Sequence, residues 1–191
     1  MMVRTHVVTG IVTALAAARI SDSSLPESGL LLLGGMAGCL LPDIDHPQSW
    51  LCRRLPFISR PLSALVGHRG ITHSLIAVVL VLLGLLAAAS HWGGDHPALA
   101  TVLGLGISLG YASHLLGDWL TPSGIPLLWP NRQRFRSPLT FVTGGTFETV
   151  LGGLLWLLAL YFALALLHWI EPLRDTLFSL LGLLMQGSRQ L

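Results

Sequence analysis

The sequence predicts an all-α fold, a polytopic integral membrane helical bundle with about 4–6 membrane segments. Three observations carry that expectation. The chain of 191 residues is 52% hydrophobic and only 10% charged, whereas a soluble domain carries about 25% charged residues. Several stretches approach the ~20 apolar residues that a membrane-crossing helix needs. The arginines fall mainly on one side of those stretches. Length sets the organisation as a single domain over residues 1–191.

Residues 74–90 form a Leu/Val/Ala run without a charge, and 98–116 is similar, broken by Gly104, Gly106 and Gly110. Residues 149–169 are the strongest span, with Trp156 and Trp169 as interfacial anchors. Two earlier stretches, 7–18 and 29–41, give only roughly 20 Å of helix, short of the ~30 Å hydrocarbon core. Either they span with polar ends drawn in, or they pair as a re-entrant unit. Gly34, Gly35 and Gly38 would allow close helix contact in the second. A last stretch, 173–185, is a short span or an interfacial helix. Arg4, an apolar run and Ala16-Ala17-Ala18 also resemble a secretory signal peptide. The next segment of the chain is again apolar instead of a soluble domain, which favours a retained helix.

Every basic residue is Arg, and the net charge is only +2. That is not the clustered basic face of a nucleic-acid binder, so no nucleic-acid partner is expected, and no obligate protein partner is inferred. With Cys39 and Cys52 alone there is no disulfide framework; Cys39 reads as a small packing residue. Six crossings from a cytoplasmic N-terminus would place nine arginines inside and two, Arg19 and Arg174, outside, a positive-inside pattern. The same threading gathers Asp43, Asp45, Asp118, Glu148, His6, His46, His68, His73 and His114 at the cytoplasmic face. His91, His96 and His168 fall on the other side as interfacial residues.

Three motifs stand out in that set. Pro-Asp-Ile-Asp-His (42–46) comes after the second apolar stretch, and Pro42 should end the helix at Leu41. Two carboxylates and an imidazole that close compete for protons unless a cation joins them; the alternative is a solvated helix end. His-Arg-Gly-Ile-Thr-His (68–73) precedes the third span, with Thr72 a candidate N-cap; its histidines are ligands or polar punctuation. His114 and Asp118 share one helix face at i, i+4. Inside an apolar helix such residues are costly and point to function, as metal ligands or as a hydrogen-bonded pair between helices. Glu148 opens the fifth span as a ligand, a general base or a helix N-terminal acid. Nitrogen and carboxylate donors without Cys suit two or more divalent ions, zinc or manganese. Such ions make a nucleophile of water and hold the oxygens of a phosphoryl transfer. Arg69, Arg132 and Arg134 match phosphate geometry, or else set topology. The arrangement therefore reads as a hydrolase acting on a phosphoester or related ester in a membrane lipid or other anionic, phosphate-containing substrate, with Asp43 or Glu148 as base. A proton or ion transporter and a scaffold with a structural metal stay open as rivals.

At these residues the chain resembles the YdjM-like family of bacterial inner-membrane proteins, predicted to be metal-dependent hydrolases, some of them under LexA control. The resemblance rests on Leu-Pro-Asp-Ile-Asp-His (41–46), His-Arg-Gly-Ile-Thr-His-Ser (68–74) and His114-x-x-x-Asp118, in that order. That family is similar, more distantly, to zinc-dependent phospholipase C, an all-helical class that holds several zinc ions through His, Asp and Glu. The resemblance implies a bacterial inner-membrane location. It also implies that His6, Asp43 or Asp45, His68 or His73, His114 and Asp118 hold metal. Two departures weaken the phospholipase pattern: Gly144 stands four residues before Glu148 where a His belongs, and there is no N-terminal Trp.

Overall fold

A computed structural model describes residues 1–46, 49, 53, 54, 57, 70–131 and 133–168. Five α-helices carry the fold: α1 (Val3–Ile20), α2 (Leu25–Gly38), α3 (Leu75–Trp92), α4 (Pro97–Trp119) and α5 (Thr146–Leu166). Two 3-10 turns, Pro42–Asp45 and Ile71–His73, lie between α2 and α3. Among the described residues there is no strand, only the isolated antiparallel bridge Ile125–Phe135. All five helical segments are long and apolar enough to cross a membrane. The stretch 173–185 lies outside the described residues.

The two short apolar stretches extend as helices by taking in polar residues at their ends. α1 runs beyond its apolar stretch at both ends and takes Arg4, Thr5 and His6 into its first turns. Its interior hydroxyls are satisfied within the helix: Thr9 Oγ1 donates to the Thr5 carbonyl at 2.7 Å and Thr13 Oγ1 to that of Thr9 at 2.9 Å. A polar side chain that bonds the carbonyl one turn back can sit in apolar surroundings without a partner elsewhere. α2 begins four residues earlier than its apolar stretch because Ser24 and Glu27 form a capping box with a proline in the first turn. It stops at Gly38 and passes into the Pro42–Asp45 turn, giving a 21-residue apolar segment to Asp45. Pro42 thus opens the turn, and the α-helix ends three residues before Leu41.

Packing centres on α4, which touches α2, α1 and α3, while α1 also packs on α2 and α5. α3 rests on α4 and α5 on α1, each with most of its surface exposed. α3 and α5 are therefore apolar outside as well as inside, as expected of helices that face lipid. The α2–α4 contact is glycine against backbone. A Cβ at Gly34 would stand 2.6 Å from the Leu103 carbonyl oxygen, and one at Gly106 2.6 Å from that of Leu31. At Gly110 it would collide with the Gly35 carbonyl, and at Gly38 with that of Ile107. Small residues four apart let membrane helices approach to backbone contact, where dispersion stands in for the missing hydrophobic drive.

The N-terminus of α1, the C-terminus of α2, the N-terminus of α3, the C-terminus of α4 and the N-terminus of α5 meet at one end of the bundle. Met1 bonds Asp118 near the end of α4, and Met2 bonds Glu148 in the first turn of α5. His114 of α4 bonds the carbonyl of Cys39 at the end of α2, and Tyr111 bonds Thr72 just ahead of α3.

Gly110→Leu should force α2 from α4 and lower stability by about 3 kcal/mol, the upper end for overpacking. Gly84→Ala, where an added Cβ meets nothing within 4 Å, should be neutral or stabilising. Unfolding in detergent micelles by denaturant titration separates the two.

Candidate metal centre

Each functional side chain is delivered by a helix end. His6 comes from the second turn of α1 and lies buried. Asp43 and Asp45 come from the 3-10 turn that continues α2, His73 from the 3-10 turn ahead of α3, and His114 and Asp118 from the last turns of α4. His73, His114, Asp45 and Asp118 are fully buried, while the Asp43 side chain keeps 23% of its surface accessible.

Four of these residues form a ring. His73 Nε2 lies 3.9 Å from Asp43 Oδ1 and 3.7 Å from Asp118 Oδ2. His114 Nε2 lies 3.7 Å from the same Asp43 oxygen and 3.8 Å from the same Asp118 oxygen. These separations are too long for hydrogen bonds. They are slightly longer than the roughly 3.3 Å between neighbouring ligand atoms of a tetrahedral ion with bonds of about 2.0 Å. A shift of a few tenths of an ångström would close them onto one cation.

The tautomers follow from the hydrogen bonds. His114 Nδ1 is 2.7 Å from the Cys39 carbonyl oxygen. A carbonyl only accepts, so Nδ1 carries the proton and Nε2 presents its lone pair to the two carboxylates. That Nε2 is buried and has no hydrogen-bond partner among the described residues. Thr72 does the same for His73: its hydroxyl donates to Asp45 Oδ2 and lies 3.0 Å from His73 Nδ1. With its one proton given to the carboxylate, Thr72 Oγ1 accepts from Nδ1–H, and His73 Nε2 is left as an acceptor. Tyr111 Oη donates to the Thr72 carbonyl and fixes the turn to α4. The result is a set of acceptors converging in a buried space, which is costly unless a cation joins them.

Asp118 reaches a second group through its other oxygen. Oδ1 is 3.2 Å from His6 Nε2 and 2.6 Å from the α-amino group of Met1. The His6 and His114 rings stack at 3.7 Å with 9° between their planes. His6, His114 and Asp118 together offer ligand atoms within 4.8 Å of one another, as do Asp43, His73 and His114. Residue 117 beside them is glycine: a Cβ would collide with the Met1 side chain and stand 3.3 Å from the His6 ring.

Among the described residues, Asp45, His46, Glu148 and Arg134 are expected site residues outside this ring. Asp45 is one step behind His73, bonded to Thr72. His46 ends the turn as its C-cap and is in neither three-residue group. Glu148 is buried against backbone: Oε1 accepts from Met2 N–H at 2.7 Å and Oε2 from Gly144 N–H at 2.6 Å. Its geometry is that of a latch between α5 and α1. Arg134 is exposed and reaches the Ser123 carbonyl at 3.4 Å. His68, Arg69 and Arg132 lie outside the described residues. Sequence reading missed Thr72 and the Cys39 carbonyl as the groups that orient the imidazoles. It took Thr72 for the cap of α3, but Ser74 fills that place, accepting from Ala77 N–H at 3.3 Å. A hydroxyl beside a histidine was the available signal.

Fold and site together define a helical membrane protein with imidazoles and carboxylates gathered at one end of its bundle. The chain belongs to the YdjM inner membrane protein family, whose model matches residues 1–187. Inner membrane protein YdjM of Escherichia coli (strain K12) is 52% identical over 101 residues, 53% of this chain and 50% of that protein. The protein of that name from Shigella flexneri gives the same figures. Protein YvsG of Bacillus subtilis (strain 168) is 34% identical over 165 residues, 86% of this chain and 96% of its own length. The chain spans about half the length of the two YdjM proteins it matches. No solved structure matches.

Thr72→Val should weaken divalent-metal binding by about 10- to 100-fold, the usual effect of losing a group that orients a ligand, while Thr72→Ser retains it; competition with a chromophoric chelator reads both. Glu148→Gln should lower stability by about 1–3 kcal/mol, because one backbone N–H then faces an amide donor. Metal stoichiometry in that variant should stay unchanged.

Proposed function

We propose that this chain is a membrane-embedded, metal-dependent hydrolase of the bacterial inner membrane. In this reading it cleaves a phosphoester or related ester in a lipid or other anionic membrane substrate. The observation that carries the proposal is the ring of His73, His114, Asp43 and Asp118, with both imidazole lone pairs turned toward both carboxylates at 3.7–3.9 Å. Nitrogen and oxygen donors without thiolate suit zinc, or manganese at higher coordination. His73, His114, Asp43 and Asp118 would hold the first ion. His114 has one lone pair to give, so it serves one ion only. A second ion would be held by His6 and Asp118. A divalent ion held there with a coordination position left open would supply a water of lowered pKa and charge compensation for a phosphoryl oxygen.

The chain's own residues do the rest. Asp43 is the most accessible member of the ring and the one a substrate meets first. It accepts the proton of the attacking water as the water oxygen joins phosphorus. The ester P–O bond then breaks toward the alcohol, which takes up that proton. Cys39 and Thr72 hold the imidazoles in one tautomer through the cycle. Asp45 holds Thr72.

Membrane orientation enters the same proposal. Among the described residues Arg4, Arg53, Arg54, Arg134 and Arg136 belong to segments at the site end, and Arg19 alone closes the other end of α1. The positive-inside bias then turns the site to the cytoplasm in a multi-pass chain. Arginine also suits an anionic headgroup, which makes membrane phospholipid the favoured substrate class.

Protein purified without chelators should carry close to stoichiometric zinc or manganese by elemental analysis. The double variant His114→Ala, Asp118→Ala should lose it. Vesicles of phosphatidylglycerol should release phosphorus-containing products with the wild type and not with the double variant. Wild-type protein that stays empty when zinc and manganese are supplied overturns the reading.

A further inference from the structure

Beside the ring lies a cleft of about 250 Å³, lined by Leu75, Val78, Ala112, Leu115, Trp119 and Ile125 among others, without a charged residue. Its floor is a buried apolar cluster that includes Leu115 and Ile125. Its rim residues Leu75 and Leu116 are exposed, on helices long and apolar enough to cross a membrane. The cleft is built from the same pieces as the ring. Leu75 opens α3 two residues after His73, Leu115 follows His114, and Trp119 follows Asp118. The remaining wall comes from the segment after α4, where Leu75 N–H bonds the Leu127 carbonyl at 3.0 Å and Ile125 pairs with Phe135. Exposed Arg134 and Arg136 flank Phe135 on that same segment. One hairpin thus supplies Ile125 to the cleft wall and carries two exposed arginines, of which Arg134 reaches the Ser123 carbonyl at 3.4 Å.

We propose that this cleft receives one acyl chain of an anionic phospholipid, whose phosphate lies at the Arg134–Arg136 edge. Three features select this occupant. The lining is apolar throughout, which suits methylene groups and rejects a headgroup. The volume is below the roughly 300–1,000 Å³ of sites that take whole small molecules, so it fits a chain segment. The exposed arginines of the hairpin that supplies Ile125 carry the charge that an amphiphile with a phosphate end requires. The inference rests on the proposed function in taking lipid as the substrate class. It adds that the lipid enters sideways between α3 and α4.

The test uses the full chain in phosphatidylglycerol nanodiscs doped with phosphatidylglycerol bearing a diazirine on one acyl chain. After irradiation, mass spectrometry should find adducts on Leu75, Val78, Ala112 and Leu116 about tenfold above those on the outward face of α5 at Leu154 and Leu157. Ala112→Trp should fill the cleft and cut those adducts about tenfold, the effect of excluding roughly two buried methylene groups. Val78→Phe, from the opposite wall, should do the same if Ala112→Trp does not fold. Labelling that is uniform over α3 and α5, or untouched by both variants, overturns the inference. So does labelling that is absent while Ala112→Trp dissociates a dimer. Metal content measured on the same samples separates the two readings. Empty protein with concentrated adducts removes the hydrolase and keeps the cleft, and loaded protein with uniform adducts does the reverse.

Discussion

The bundle end is governed by a proton count on two imidazoles. An imidazole that donates through Nδ1 has only a lone pair to offer through Nε2. At His114 the Cys39 carbonyl takes the Nδ1 proton, and at His73 the Thr72 hydroxyl does. Both remaining nitrogens then face carboxylate oxygens at distances that no hydrogen bond spans. A buried group of acceptors of this kind is costly in apolar surroundings. Doubly protonated imidazoles would still stand too far off to donate well. A divalent cation is the partner whose bond lengths come closest to the geometry.

That proton count depends on how closely α2 approaches α4. The last carbonyls of an α-helix have no partner within it, so the end of α2 offers Cys39 oxygen to whatever lies beside it. Gly34, Gly38, Gly106 and Gly110 bring the two backbones into contact, and this puts His114 within 2.7 Å of that oxygen. The glycine contact and the imidazole tautomer are therefore one feature. A side chain on the shared face would part the helices and release the His114 ring together. On the α1 side, Gly117 leaves room on α4 for the Met1 side chain, with the His6 ring next to it.

Much of this was legible in the sequence, for definable reasons. The spans stood out because nothing else buries so many consecutive apolar residues. The i, i+4 relation of His114 and Asp118 follows from helix geometry alone and holds in the structure. His73 and Asp43 joined them because helices must alternate direction, which returns the second, third and fourth helical segments to one end. What stayed hidden was local. The capping box at Ser24 and Glu27 added a turn that hydropathy does not register. The start of α3 fell at Ser74 because Thr72 is drawn away by Asp45, a residue 27 positions earlier. Tertiary contacts of that span leave no periodic trace. Glu148 offered ligand, base and helix-terminal readings in sequence, and its two backbone N–H partners are visible only once α1 and α5 are seen together.

The latch at Glu148 and the ring at His114 divide the labour of one bundle end. α5 packs mainly on α1 among the described residues, and Glu148 joins its first turn to the start of α1. α1 in turn carries His6 to Asp118. A carboxylate whose oxygens each accept a short backbone N–H bond is fixed in one orientation. That suits a strut better than a proton carrier. The Asp43 side chain is instead partly accessible. Of the two acids that the sequence offered as a base, accessibility and company favour the one on the turn.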